Sequence, residues 1–214
     1  REYEMGFRVQ HSFNSEQDGR VGELEYSVVL KAEMKPFFFY SFYPADGRSC
    51  VCIYRQNSIQ HGALVFYPLL IPLTQTFSRF GYSPAETVSH TLRLIDDKKL
   101  LEGSFPMIHL SADGKVSWSR SGFSAPLLFD PGSDETCFLR DSGGNGEVVC
   151  TKGSFLLIFD TSYIRRIGMH YEEILFVLKT NHDAPVKTIA AMIAEKLSDS
   201  GEPPDFFCVL RTAV

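Results

Sequence analysis

This sequence has no block of basic residues, no long apolar run and no paired cysteine spacing, and each absence removes a class of function. Lysine and arginine number 21 against 26 aspartates and glutamates, a net charge of -5 at pH 7. Without a basic patch the electrostatic footprint of a nucleic-acid binder is missing. No apolar stretch reaches the roughly 18 residues of a membrane span. The longest, residues 63–72, contains Pro68 and Pro72, so no membrane contact is expected of this domain. Five cysteines, Cys50, Cys52, Cys137, Cys150 and Cys208, make an odd count without zinc-type spacing. They read as unpaired thiols in a reducing, cytoplasmic compartment, with Cys50 and Cys52 expected on opposite faces of one strand. The histidines, His11, His61, His90, His109, His170 and His182, form no i, i+4 pair, and none is expected to hold a metal. Residues 142–146 are glycine-rich, but no lysine follows at the spacing of a phosphate-binding loop. The chain opens at Arg1 with neither methionine nor signal peptide, which reads as the C-terminal part of a longer protein.

What is present suits one globular core. The composition is 44% hydrophobic and 22% charged over 214 residues, ordinary for a soluble domain of this size, and residues 1–214 read as a single domain. Met5, Val9 and Phe13 recur at helical spacing and predict a short helix over residues 2–13. Residues 14–22 are polar and predict a loop. Strands are predicted over 24–31, 37–43 and 49–54, the last two joined by Pro44-Ala45-Asp46-Gly47, where Asp-Gly tolerates positive φ. Residues 62–80 lack strand alternation and predict a buried helix, bent or offset by its prolines. Ser83-Pro84-Ala85-Glu86 is a helix start, with serine as cap, proline first and glutamate third. Strands are then predicted over 105–110 and 115–121, around an Ala112-Asp113-Gly114 turn, and over 127–129, 137–139, 147–150 and 155–159. Helices at 171–178 and 186–197 precede a last strand at 206–210. Asp46 and Asp113 are thus turn residues. The order of elements implies a layered α+β domain.

Several segments, in order, resemble the SpoIIE/RsbU-type bacterial metal-dependent protein phosphatases, the protein phosphatase 2C-like family. Gln10 lies in the opening helix where that family carries a glutamine. Pro36-Phe37-Phe38-Phe39-Tyr40-Ser41-Phe42 takes the place of its Gly-Gly-Asp-aromatic-Tyr-Asp strand and keeps only the aromatics. Arg55 follows the strand Val51-Cys52-Ile53-Tyr54 where an aspartate is usual. Ser121-Gly122-Phe123-Ser124-Ala125-Pro126-Leu127-Leu128 matches an Ala-Gly-His-x-Pro-Pro-Leu-Leu turn. Residues 153–162 match a Gly-Asp-x-Leu-Leu-Leu-Tyr-Thr-Asp-Gly strand, with Thr161 at the aspartate and Asp160 one place before it. Pro204-Asp205-Phe206-Phe207 keeps the second aspartate of the closing motif.

The resemblance implies a four-layer α-β-β-α sandwich, two antiparallel sheets flanked by helices, with metals at one end in active members. Phe38, Ser41, Arg55, Thr161 and Asp205 are then vestigial metal positions, of which only Asp205 still offers a carboxylate. Two divalent ions need several anionic oxygens. A catalytically inactive, regulatory or protein-interaction domain is therefore expected, without catalytic residues or cofactor. Its partner would be an unidentified protein or an attached sensor domain, and self-association into a homodimer is open. Asp205 is expected either to cap a strand end or to pair with Arg55, the pair then being an internal substitute for the metal's charge. The competing reading is an active protein serine/threonine phosphatase with a rearranged manganese or magnesium site built on Asp160 and Asp205. On the strand pleat, Asp160 would need a slip or bulge to reach that site.

Overall fold

Alternating strand burial and tight turns set the architecture. The computed structural model describes residues 8, 12, 14–30, 37–56, 63–95, 103–120, 123–139, 142–160, 164–198 and 205–213. The strands among them are β1 (Asp18–Val21), β2 (Leu24–Leu30), β3 (Phe37–Ala45), β4 (Arg48–Gln56), β5 (Gly103–Ser104), β6 (Met107–Ser111), β7 (Lys115–Ser119), β8 (Leu127–Asp130), β9 (Glu135–Phe138), β10 (Asn145–Val149), β11 (Phe155–Phe159) and β12 (Phe206–Thr212). The helices are α1 (Ala63–Arg79), α2 (Pro84–Ile95), α3 (Ile164–Met169), α4 (Tyr171–Asn181) and α5 (Val186–Ser198). The helix predicted over 2–13, apart from Arg8 and Ser12, lies outside the described residues, as do Gln10, His11, His61 and Thr161.

One sheet runs β1-β2-β12-β11-β8-β9 and the other β10-β7-β6-β4-β3, with β5 added beside β4. Every pairing is antiparallel. The β3–β4 hairpin closes through Asp46 (φ 51°) and Gly47 (φ 68°), the positive-φ pair that matches strand twist. Gly114 (φ 80°) turns β6 into β7, and a Cβ there would meet the Cys150 carbonyl at 2.6 Å. Residues 18–21, expected in a loop, form edge strand β1. The helix at 164–169 has no counterpart in the sequence reading, and the strand expected at 105–110 begins at Met107.

The alternation of each strand divides the core into three layers. Between the sheets lie Leu24, Tyr26 and Val28 of β2, Phe38 and Tyr40 of β3, Val51 and Ile53 of β4, and Phe206, Cys208 and Leu210 of β12. Behind the first sheet, Phe155, Leu157, Phe159, Phe207 and Val209 pack on Ile174, Val177, Ile189 and Ile193 of α4 and α5. Behind the second, Phe39, Tyr43, Cys50, Cys52 and Tyr54 pack with Leu70 of α1 and Val88 of α2. Cys50 and Cys52 therefore share a face, because strand side chains repeat every two residues, and the expectation of opposite faces is corrected. The result is the four-layer α-β-β-α sandwich.

Candidate functional site at one end of the sandwich

Antiparallel pairing brings the start of β3, the end of β4, the end of β11 and the start of β12 to one end of the sandwich. In β3 the even residues Phe38, Tyr40 and Phe42 look between the sheets. In β4 the odd residues Val51 and Ile53 do so, and Arg55 continues that row, opposite Phe38 in register. In β11, Leu156 and Ile158 face inward, and Asp160 is the next inward position. Continuing the register that sets Phe159 beside Phe207 places Asp160 beside Phe206.

Two contacts then cross the gap side by side. The Arg55 guanidinium donates from Nη1 to Asp160 Oδ2 at 2.7 Å, and the Asp160 side chain is 1% exposed against 22% for Arg55. The Phe38 ring stacks on Phe206 with centroids 4.8 Å apart and planes 16° from parallel. Phe123 meets both edge-on, at 6.4 Å from Phe38 and 6.3 Å from Phe206. All three rings are buried to 1% exposure or less. A buried carboxylate of this kind persists only when paired and hydrogen-bonded. The ion pair expected between Arg55 and Asp205 is corrected: among the described residues Arg55's ion pair goes to Asp160. Asp205 is half-buried, one residue before β12. Asp160 reaches the inner layer without slip or bulge. Ser41 is buried, but the pleat turns it to the helix-covered face with Phe39 and Tyr43, away from Phe38 and Arg55.

Two broader comparisons return nothing: no family model matches the sequence, and no curated protein matches it. Solved structures match it in fold. The RsbU and RsbW domains of Rv1364c from Mycobacterium tuberculosis give a TM-score of 0.72 at 13% identity, over 93% of this chain and 63% of that one. The SiaA-PP2C domain of Pseudomonas aeruginosa gives 0.68 at 12%, over 99% and 95%. The PP2C phosphatase domain and regulatory fragment of SpoIIE from Bacillus subtilis give 0.65 at 12%, over 92% and 65%. The chain has the PP2C-type phosphatase fold. It spans about two thirds of the Mycobacterium and Bacillus chains.

Other chemistry-bearing groups within this phosphatase fold have packing explanations. Asp46 and Asp113 sit in their turns, Asp113 accepting from the Lys115 amide at 3.2 Å. His90 lies against Phe77 and Tyr82, His170 bonds Glu173, and His182 bonds the Lys179 carbonyl. His109 is buried behind the second sheet, bonded to Arg48 and Ser78. Among the described residues no three His, Cys, Asp or Glu side chains gather as a metal-binding group. Burial pushes the Cys50 and Cys52 thiols up to about 12 and Cys150 to about 11, so at neutral pH they stay protonated and poorly nucleophilic. Gly143 (φ 64°) and Gly144 (φ 88°) form the turn into β10, and the Trp118 ring lies 2.3 Å from where a Gly146 Cβ would sit. That glycine-rich stretch is hairpin geometry. Among the described residues no helix is long and apolar enough to cross a membrane.

Sequence reasoning did not assign Phe123 and Phe206 to this end. Both lie in matched motifs, Phe123 where the family has histidine, and that substitution was the available signal.

Proposed function

We propose that this chain is a phosphatase-like domain that does not hydrolyse phosphate esters and serves as a regulatory, protein-binding module in bacterial cytoplasmic signalling. The observation that carries the reading is the Arg55–Asp160 ion pair beside the Phe38–Phe206 stack. Hard divalent ions require several oxygen ligands. Here one inner-face carboxylate is engaged by a guanidinium, and its neighbours are aromatic rings that offer no lone pair. Among the described residues, those at this end do not fit two manganese or magnesium ions, and no reaction step is assigned to them. A PP2C-type fold so furnished keeps its surfaces for binding a partner protein, an attached sensor domain or a second copy.

A deciding experiment is a manganese-dependent assay on a chromogenic phosphate ester and a phosphoserine peptide, with calorimetric metal titration beside it. Turnover at background and no metal binding at millimolar concentration are expected. Metal-dependent turnover abolished by Asp160→Asn or Asp205→Asn would favour the other reading, an active phosphatase using those two carboxylates. Asp160's inward position gives that reading its specific support.

A further inference from the structure

We infer that Arg55 is the resident cation of this fold, clasping the two sheets together at the end where the family resemblance implies metals in active members. The inference rests on the reading above that no divalent ions work at this end. It goes further by assigning their charge-balancing role to a side chain and making the fold independent of metal.

The geometry has four corners. Phe38 and Arg55 are cross-strand neighbours on the inner face of one sheet, and on the other, one step beyond the Phe159–Phe207 pair that ends the β11–β12 register, Asp160 comes beside Phe206. Arg55 reaches Asp160 at 2.7 Å while Phe38 lies on Phe206 at 4.8 Å, so one ionic and one aromatic contact bridge the sheets in parallel. Beyond Phe38, Phe123 packs edge-on on the interior side, and the pair is 22% exposed at Arg55 and 1% at Asp160. A carboxylate this buried requires a cation. In a site lined by rings, a planar, permanently charged guanidinium suits that role better than a strongly hydrated ion. The same contact withdraws the inward carboxylate from any metal. On this account Arg55 and Phe38 work as one change: the cation replaces charge and the ring replaces volume.

The test is a double-mutant cycle read by thermal unfolding, on the whole chain, in chelator and in millimolar manganese. Wild type is expected to melt at the same temperature in both. Arg55→Ala and Asp160→Asn are each expected to lower the midpoint by about 5–10 °C, a partly exposed pair in a chain of this size. The double variant should fall no further than the worse single one, because contacting partners are not additive. Low millimolar guanidinium should raise the midpoint of Arg55→Ala and leave that of Arg55→Ala/Asp160→Asn unchanged. If Arg55→Ala does not fold, Arg55→Lys, which keeps the charge and loses the fork, replaces it in the cycle. Additive losses, or no guanidinium rescue, would overturn the clasp while leaving the inactive-domain reading intact. Phosphate-ester turnover by wild type would overturn that reading, whatever the coupling between Arg55 and Asp160.

Discussion

At the scale of the residue, the second buried polar group with consequences is His109. It is fully buried, and the Arg48 guanidinium donates from Nη1 to its Nδ1 at 3.3 Å. A guanidinium only donates, so Nδ1 accepts and the imidazole proton sits on Nε2, donating to Ser78 Oγ at 3.2 Å. Ser78 Oγ is in turn bonded to the Tyr43 hydroxyl at 3.2 Å. Burial first, and the Arg48 charge second, lower the His109 pKa to about 3. The unfolded chain takes up that proton near pH 6.5 while the folded chain refuses it until about pH 3. Stability is therefore complete above pH 6.5 and lost as pH falls below it, by up to about 1.4 kcal/mol per pH unit. The lowered carboxylates Asp18, Glu86 and Asp130 begin to weigh only below about pH 4.5. Denaturant melts between pH 6.5 and 5 should show the slope, and His109→Gln should flatten it. A wild-type stability that stays level across that interval would remove His109 from this role.

At the scale of the element, local chemistry was the most legible part of the sequence. Ser83 and Glu86 make the reciprocal cap their spacing announced: the Glu86 amide donates to Ser83 Oγ at 3.3 Å and the Ser83 amide to Glu86 Oε2 at 2.9 Å. Ser83→Ala should cost about 1 kcal/mol, seen as a lower denaturant midpoint with an unchanged slope; an unchanged midpoint would mean α2 needs no cap. The Asp46-Gly47 turn was equally plain. β1 was not, because an edge strand of sequence Asp-Gly-Arg-Val carries almost no apolar pattern. The free edge of β3, in the other sheet, is met by residues 14 and 15: the Asn14 side-chain amide donates to the Phe38 carbonyl at 3.1 Å and accepts from the Tyr40 amide at 2.9 Å, and the Ser15 amide donates to the Tyr40 carbonyl at 3.1 Å. The six-residue α3, with Gly168 inside it, is too short for helical period to show. Element order survives such gaps because each remaining strand is bounded by its own turn.

At the scale of the whole molecule, the sandwich was legible from motif order, but the phase of its strands was not. Phe155–Phe159 is apolar at every position and buried on both faces, so nothing in the run says which residues look between the sheets. Matching by motif put Thr161, which lies outside the described residues, at the site, and the pleat also brings Asp160 to the inner layer. The same ambiguity in residues 37–43 grouped Ser41 with Phe38, although they occupy opposite faces of β3. This phase decides which substitutions could restore a metal site. Phe38→Asp with Arg55→Asp would set two carboxylates on the inner face facing a released Asp160. The double variant should be less stable than wild type in chelator, since clustered buried carboxylates repel. Manganese should then stabilise it, by about 2.7 kcal/mol at a hundredfold excess over its dissociation constant, which is about 5–10 °C in a chain of this size. Phe38→Asp alone should show no metal shift, because Arg55 keeps Asp160. Ser41→Asp should add nothing, as it points to the helix layer. Thermal melts with and without manganese measure all three. A folded Phe38→Asp/Arg55→Asp variant that ignores manganese would show that these inner-face positions do not converge on one ion.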